Sequence, residues 1–78
     1  MLLIRYFAGA RAAAGTAEEK LEAATLTDLT ALISADRPRL AKVLPACAFL
    51  VDGLSWRDRD APLPATATVD VLPPFAGG

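Results

Sequence analysis

Residues 25–33 have the sequence TLTDLTALI, which predicts the clearest helix of the chain. Thr25 followed by Asp28 three residues later is typical of a capped helix start. The apolar residues that recur at helical spacing are Leu26, Leu29, Leu32 and Ile33. Pro38 then prevents easy continuation of the helix. We therefore expect one main helix here, with an apolar side that packs on a sheet.

Strand-like and undecided segments precede this helix. Residues 2–8 are mostly apolar and aromatic, with Arg5 where a solvent-facing strand position would lie, and they predict a first strand. The Ala-rich stretch 9–15 predicts a loop or one helical turn that ends at its last glycine. The charged stretch 17–24 fits either a polar helical turn or the outer strand of a hairpin.

The segment after the helix predicts a turn, a strand and an irregular connection. Residues 39–44 predict a short turn that packs back on the core. Residues 46–51 form an apolar run, which predicts a central strand that ends in the tight-turn pair Asp52-Gly53. Residues 56–64 alternate charged residues with prolines, which indicates an irregular connection.

Residues 67–72 complete the predicted sheet. Ala67, Val69 and Val71 alternate with Thr68 and Asp70, the pattern of a half-buried strand. The resulting order of elements predicts an α+β fold with helices on one face of a mixed sheet. A chain of 78 residues has room for one core, so we expect a single domain over residues 1–78.

Composition and charge argue against several classes of function. A formal net charge of −1, with scattered lysines and arginines, provides no footprint for nucleic acid or an anionic membrane. The apolar runs are short and interrupted by charge, so we expect no signal peptide, no membrane span and a cytoplasmic protein. Histidine is absent from the sequence, and no phosphate-binding glycine loop or serine nucleophile motif is present. Stand-alone catalysis is therefore disfavoured.

For three other features a structural role is favoured over a chemical one. Cys47, the single thiol, is predicted to lie buried and inert on the central strand, with an exposed sulfur-relaying thiol as the alternative. Trp56 is predicted to pack over a satellite core, although it could anchor a partner. Five carboxylates lie among basic residues, which predicts a solvated face and not an acid/base pair or a metal site. They are Glu18, Glu19, Glu22, Asp58 and Asp60.

The end of the sequence carries the strongest chemical signal. The last strand is followed by Pro73, Pro74, Phe75, Ala76, Gly77 and Gly78. The diproline would stiffen the base of a flexible tail over residues 75–78, and the glycines could thread a channel too narrow for other residues. A carboxylate at Gly78 suits activation by ATP to an acyl-adenylate, followed by capture by a sulfur or nitrogen nucleophile. The alternative is a frayed chain end.

The motifs RYFA at residues 5–8 and LPPFAGG at residues 72–78 resemble the small subunit of molybdopterin synthase, a MoaD-like protein of the MoaD/ThiS family. The resemblance covers essentially the whole chain. It implies a ubiquitin-like β-grasp fold, a mixed sheet packed on one main helix. It also implies that an activating enzyme related to the ubiquitin E1 family, MoeB-like and using ATP-Mg, adenylates Gly78, which then becomes a thiocarboxylate. A MoaE-like large subunit would receive the tail, and a cyclic pyranopterin monophosphate would receive the sulfur.

Several consequences follow from the resemblance. Gly78 would be the reactive residue, while Gly77, Ala76 and Phe75 would thread into the partner site, although Phe75 stands where the family often has a smaller aliphatic residue. The chain would bind no cofactor or metal and would have no activity alone. Carriers of thiazole synthesis, cysteine synthesis or tRNA thiolation are alternatives, as is a ubiquitin-like modifier or interaction module. The diproline favours the molybdopterin branch.

Strand alternation predicts a partner interface beside the tail. When the valines of the last strand face the helix, Leu72 faces the opposite side, and Leu50 joins it by the same alternation on its own strand. Together with Pro73 and Pro74 they would form a docking surface for both partners. A register shifted by one residue would bury Leu50 instead.

Overall fold

The computed structural model describes residues 1–74, which form a five-stranded sheet with helices on one face. The elements are β1 (Leu2–Tyr6), α1 (Ala8–Ala14), β2 (Glu18–Leu21), α2 (Leu26–Ser34), α3 (Pro38–Val43), a 3₁₀ turn (Leu44–Ala46), β3 (Ala48–Val51), β4 (Leu54–Ser55) and β5 (Thr68–Leu72). The strand order is β2-β1-β5-β3-β4. β1 and β5 are parallel, and the other neighbours are antiparallel. The predicted mixed sheet of an α+β fold is therefore present.

The main helix, α2, begins where its sequence predicted. The Thr25 side-chain oxygen accepts a hydrogen bond from the backbone N–H of Asp28, with the two atoms 3.2 Å apart. The buried residues of the helix are Leu26, Leu29 and Ile33. Leu32 shares their spacing but is 55% exposed, so it lies outside the buried stripe. Within residues 1–74, no helix has the length and apolar character needed to cross a membrane.

The core lies between the helices and one face of the sheet. Alternate residues of the long strands point into it: Leu2, Ile4, Tyr6, Phe49, Val51, Val69 and Val71. The helices and the 3₁₀ turn add Ala10, Leu26, Leu29, Ile33, Leu40 and Leu44. Because neighbouring residues of a strand point to opposite faces, the intervening residues form a second face that the helices do not cover.

The structure settles two segments of the first half of the chain. Residues 9–15 are more helical than predicted, and residues 17–24 adopt one of the two predicted conformations. β1 ends at Tyr6, and the stretch predicted as a loop or one turn is a seven-residue helix that begins at Ala8. Gly15 ends this helix at φ 79°, a left-handed conformation that glycine adopts without penalty. The charged stretch is a strand, β2, which pairs antiparallel with β1.

The Asp52-Gly53 pair forms the predicted tight turn. Asp52 has φ 50° and Gly53 has φ 82°, so both central residues are left-handed, as the common two-residue hairpin turn requires. The turn joins β3 to β4, a two-residue strand that the sequence did not predict. Between β4 and β5 the chain is irregular, as its prolines indicated.

Candidate functional site

Leu50 and Leu72 lie on the face of the sheet opposite the helices, which we call the open face. β3 and β5 pair with Ala48 opposite Leu72 and Leu50 opposite Asp70. Val51 is 1% exposed, whereas Leu50 and Leu72 are only partly buried. The predicted register is therefore confirmed, and the alternative that would bury Leu50 is wrong.

The open face is organised in rows that cross the sheet. The central row has one residue from each strand: Glu18, Arg5, Asp70, Leu50 and Ser55. The row nearer the end of β5 contains Phe7, Leu72 and Ala48. The row on the other side contains Lys20, Leu3 and Thr68. The row beside the end of β5 is therefore entirely apolar, whereas the row on the other side has one apolar residue, Leu3, between Lys20 and Thr68.

Phe7 and Leu3 belong to this face, although the sequence prediction did not include them. Phe7 is 39% exposed, and Leu3 is partly buried. Alternation within residues 2–7 is the signal that finds them, because the inward direction of Ile4 and Tyr6 sends the intervening residues to the open face. Phe7 therefore enlarges the apolar surface beside the end of β5, whereas Leu3 lies beside the start of β5.

An ion pair occupies the middle of the open face. Arg5 Nε lies 2.6 Å from Asp70 Oδ1, and Nη2 lies 2.9 Å from Oδ2. Arg5 is exposed, as predicted, whereas Asp70, although it lies on the same open face, is only 7% exposed. The pairing covers this carboxylate on an open surface. The hydrogen bond to Asp70 also raises the pKa of Arg5.

Pro73 and Pro74 follow the end of β5 at the centre of the sheet. β5 ends at Leu72, Pro73 is partly buried and Pro74 is exposed. The predicted reactive residue Gly78 and the predicted threading residues Phe75, Ala76 and Gly77 lie outside the described residues 1–74. The structure therefore places four of the predicted residues, Leu50, Leu72, Pro73 and Pro74, beside the end of β5.

Cys47 is buried, as predicted, but it does not lie on a strand. It follows the 3₁₀ turn and precedes β3, with 6% of its surface exposed. Its Sγ donates to the backbone carbonyl of Val43 at 3.3 Å. Burial raises the pKa of the thiol, while the positive charge of Arg59 acts in the opposite direction. The alternative of an exposed thiol is therefore wrong.

Glu19 is an exception to the predicted solvated face. Its carboxylate accepts hydrogen bonds from Arg37 Nη1 at 2.5 Å and Nη2 at 3.3 Å, and also from the hydroxyl of Tyr6. The hydrogen bond from Arg37 lowers the pKa of Glu19, although burial opposes this shift. The other four carboxylates of the set are exposed. Glu19 therefore links β2 to the helix layer and is not part of an acid/base pair.

Trp56 packs against the core, as predicted. It is partly buried beside the main hydrophobic cluster. Its indole N–H is enclosed and finds no acceptor among residues 1–74. These contacts favour a structural role.

Comparisons with solved structures relate this geometry to known proteins. The protein described as molybdopterin converting factor, subunit 1, from Pyrococcus furiosus is 25% identical, with 95% of this chain and 97% of that chain covered and a TM-score of 0.82. The small archaeal modifier protein 1 of Methanosarcina acetivorans is 22% identical, with 99% and 95% covered and a TM-score of 0.86. One chain of the protein–protein complex of subunit 1 and 2 of the molybdopterin-converting factor from Helicobacter pylori is 22% identical, with 99% of this chain and 97% of that chain covered and a TM-score of 0.74.

The fold and these relatives place the chain among the ubiquitin-like β-grasp proteins. The profile of the ThiS family matches residues 4–78. The chain belongs to the ThiS family, and the predicted MoaD/ThiS resemblance is confirmed. A comparison with curated proteins finds no match.

Proposed function

We propose that this chain is a sulfur carrier of molybdenum cofactor biosynthesis that works through the carboxylate of Gly78. The observation that carries the proposal is the 25% identity, over 95% of this chain, to a protein described as molybdopterin converting factor, subunit 1. The Pro73-Pro74 pair at the end of β5 and the family match that extends to Gly78 support the same reading.

The proposed chemistry begins with activation, because a carboxylate is a poor electrophile. A MoeB-like enzyme would use ATP and Mg²⁺ to join the Gly78 carboxylate to the α-phosphorus of ATP, with release of pyrophosphate. Hydrosulfide, or the terminal sulfur of a donor persulfide, would then attack the acyl carbon and displace AMP. With hydrosulfide the product is the thiocarboxylate itself; with a persulfide the product is an acyl disulfide, which a thiol would reduce to the thiocarboxylate and a disulfide of the donor. The catalytic side chains would belong to the partners, and the whole sequence of reactions would take place in the cytoplasm.

Delivery would require a second partner. A MoaE-like large subunit would bind the tail and bring Gly78 to a cyclic pyranopterin monophosphate. The Helicobacter pylori relative, solved as a complex of subunit 1 and 2, supports such a partner. Each transfer would leave the sulfur on the pterin and return Gly78 to a carboxylate, with water supplying the oxygen. Two transfers would complete a dithiolene.

The open face would dock both partners. Leu50, Leu72, Pro73 and Pro74 surround the start of the tail, and Phe7 extends the same apolar area. Contiguous apolar surface rimmed by charge is typical of interaction sites. Gly78 follows Pro74 by four residues, at most about 14 Å of extended chain, so a partner held on this face could take the carboxylate into its own site.

The test is the intact mass of the chain, ending at Gly78, after incubation with a purified MoeB-like enzyme, ATP-Mg and a sulfur donor. We expect one oxygen to be replaced by one sulfur, and a chain lacking Gly78 should not change. Absence of the exchange in the full chain would overturn the carrier proposal. Addition of a MoaE-like subunit and pterin precursor should then yield molybdopterin, whereas carriers of thiazole synthesis, cysteine synthesis or tRNA thiolation would not support this step.

A protein modifier is the second candidate. The TM-score of 0.86 to the small archaeal modifier protein 1 of Methanosarcina acetivorans supports it at the level of the fold. In that function Gly78 would form an amide with a lysine of another protein. Conjugates that resist thiol reagents and contain a Gly78-lysine isopeptide would favour this candidate over the carrier.

A further inference from the structure

The guanidinium of Arg5 is bound along one edge only. Arginine has five N–H donors, and Asp70 takes the Nε–H and one Nη2–H. Within the part of the chain that the structure describes, Arg5 makes side-chain hydrogen bonds with Asp70 alone. Glu18 lies directly opposite Arg5 on β2 and its charge raises the pKa of Arg5, but no hydrogen bond joins the two side chains. The end of the guanidinium, formed by Nη1 and the second Nη2–H, therefore has no hydrogen-bond partner within residues 1–74.

This free end is held in a defined position. Asp70 lies directly opposite Arg5 on the neighbouring strand and is 7% exposed, so the carboxylate that holds the guanidinium is itself fixed. The Arg5 Cζ lies 5.7 Å from the centre of the Phe7 ring, and 45% of the Arg5 side chain remains exposed. A planar donor pair fixed in this way is preorganised, which reduces the entropy lost on binding.

Docking on the open face would cover this donor pair. A partner surface that is apolar opposite Arg5 would leave charged N–H groups buried without acceptors, which is unfavourable. A carboxylate matches the two parallel N–H groups at the free end and restores the hydrogen bonds lost from water. The ion pair therefore distinguishes partners that present a carboxylate at this point from partners that do not.

We propose that Arg5, positioned by Asp70, recognises a carboxylate on the docking surface of the activating enzyme. This inference rests on the proposed function, but not on its pathway, because each carrier or modifier considered above needs its Gly78 activated. Leu50, opposite Asp70 on β3, and Leu72, two residues further along β5, supply apolar contact, and Arg5 supplies the selective contact.

The test compares binding of four chains to a purified MoeB-like enzyme from the same genome, by calorimetry at several NaCl concentrations. The chains are wild type, Arg5→Lys, the double variant Arg5→Leu/Asp70→Val, and Arg39→Leu, which removes an exposed arginine on α3. The double variant removes both charges together, so no buried charge is left unpaired. Thermal unfolding of each chain establishes that it is folded.

We expect the double variant to bind about 10- to 100-fold more weakly than wild type, and its affinity to lose most of its dependence on salt. Arg5→Lys should lose most of the same affinity, because an ammonium group cannot hold two carboxylates in this planar arrangement. Arg39→Leu should bind like wild type. A folded double variant that binds within about twofold of wild type would overturn the inference.

The outcomes separate this inference from the proposed function. If the wild-type chain gains sulfur at Gly78, and the double variant gains sulfur and binds the enzyme equally well, then Arg5 has no role in recognition. The proposal that the chain is a sulfur carrier would stand. A weakening seen only with a MoaE-like subunit would also overturn the inference. Wild-type chain that neither binds the activating enzyme nor gains sulfur would overturn both.

Discussion

Arg37, three residues beyond the end of α2, binds Glu19 on the edge strand β2 through both of its terminal nitrogens, with Nη1 2.5 Å from Oε2 and Nη2 3.3 Å from Oε1. Tyr6 donates its hydroxyl to the same carboxylate, and Arg37 also donates to the carbonyl of Ile33 at 3.3 Å. Glu19 therefore connects the edge of the sheet to the end of the main helix. This connection makes stability depend on pH.

Replacement of Glu19 by glutamine should lower the free energy of unfolding at pH 7 by about 1 kcal/mol, because the charged hydrogen bonds to Arg37 are lost from a partly exposed site. The pKa of Glu19 in the folded protein lies below its ordinary value of 4.5. Its contribution is therefore complete above about pH 4.5 and is lost as the pH falls through the folded-state value. Urea unfolding at pH 7 and at pH 3 measures both effects.

Glu22→Gln is the matched control for this prediction. Its carboxylate lies 4.0 Å from the N-terminal amine, and its side chain is 79% exposed, so the substitution should change stability little at either pH. The difference between wild type and Glu19→Gln should shrink on acidification. Equal differences at pH 7 and pH 3 would contradict the assigned role of the Glu19 charge.

Tyr6 offers a spectroscopic test of the same cluster, because it is the single tyrosine of the sequence. Burial, and then the hydrogen bond to Glu19, raise the pKa of Tyr6 above its ordinary value of 10.0. The resulting stability is complete below about pH 10 and is lost as the pH rises towards the folded-state value. An ultraviolet titration should show tyrosinate forming at higher pH in the native protein than in denaturant. If tyrosinate forms at the same pH in the native and the denatured protein, the Tyr6 hydroxyl is not buried and hydrogen-bonded as described.

Lysine substitutions on two strands should separate docking from folding. Leu50→Lys and Leu72→Lys place a charge on the open face, so we expect folded proteins that bind the activating enzyme at least about tenfold more weakly. Val51→Lys and Val71→Lys, each one residue away, bury a charge in the core and should unfold the chain. Circular dichroism and calorimetry distinguish the two classes.

Two other results would change this picture. Unfolding of Leu50→Lys or Leu72→Lys would contradict the register of β3 and β5. Folded variants that retain full affinity for both a MoeB-like enzyme and a MoaE-like subunit would remove these leucines from the proposed docking surface, whatever the outcome for Gly78.

Local signals in the sequence were sufficient for much of this fold. The cap at Thr25 depends on a residue three positions away, and the Asp52-Gly53 turn depends on the conformations of two adjacent residues. The burial of Asp70 and the pairing of Glu19 depend on residues 65 and 18 positions away in the chain. The charge pattern of the sequence does not reveal such partners, because an aspartate or glutamate is the same residue whether its carboxylate is paired or solvated. The covalent site at Gly78 remains a prediction from motif and family.

The hairpin turn between β3 and β4 gives a backbone test. Gly53 has φ 82°, and an added Cβ would meet no atom within 4 Å, so Gly53→Ala should destabilise the protein by about 1 kcal/mol through its backbone conformation alone. Gly9, inside α1, also has open space but no positive φ, and Gly9→Ala should stabilise by about 0.5–1 kcal/mol. Changes of opposite sign in the free energy of unfolding, measured with urea, would confirm the left-handed conformation of Gly53 in the turn. Equal effects would contradict it.

Cys47 should be unreactive and dispensable for sulfur carriage. Its thiol is 6% exposed, donates to the Val43 carbonyl and has a pKa raised by burial, so little thiolate reaches solvent. A thiol-specific disulfide reagent should label Cys47 slowly in the native protein and rapidly in denaturant. Cys47→Ala should lose about 1–2 kcal/mol of stability yet gain sulfur at Gly78 to the same extent as wild type. Cys47→Ala contains no cysteine, so sulfur gained by this variant must be bound at a site other than a thiol of the chain. If the folded variant gains no sulfur at all, the transfer requires Cys47.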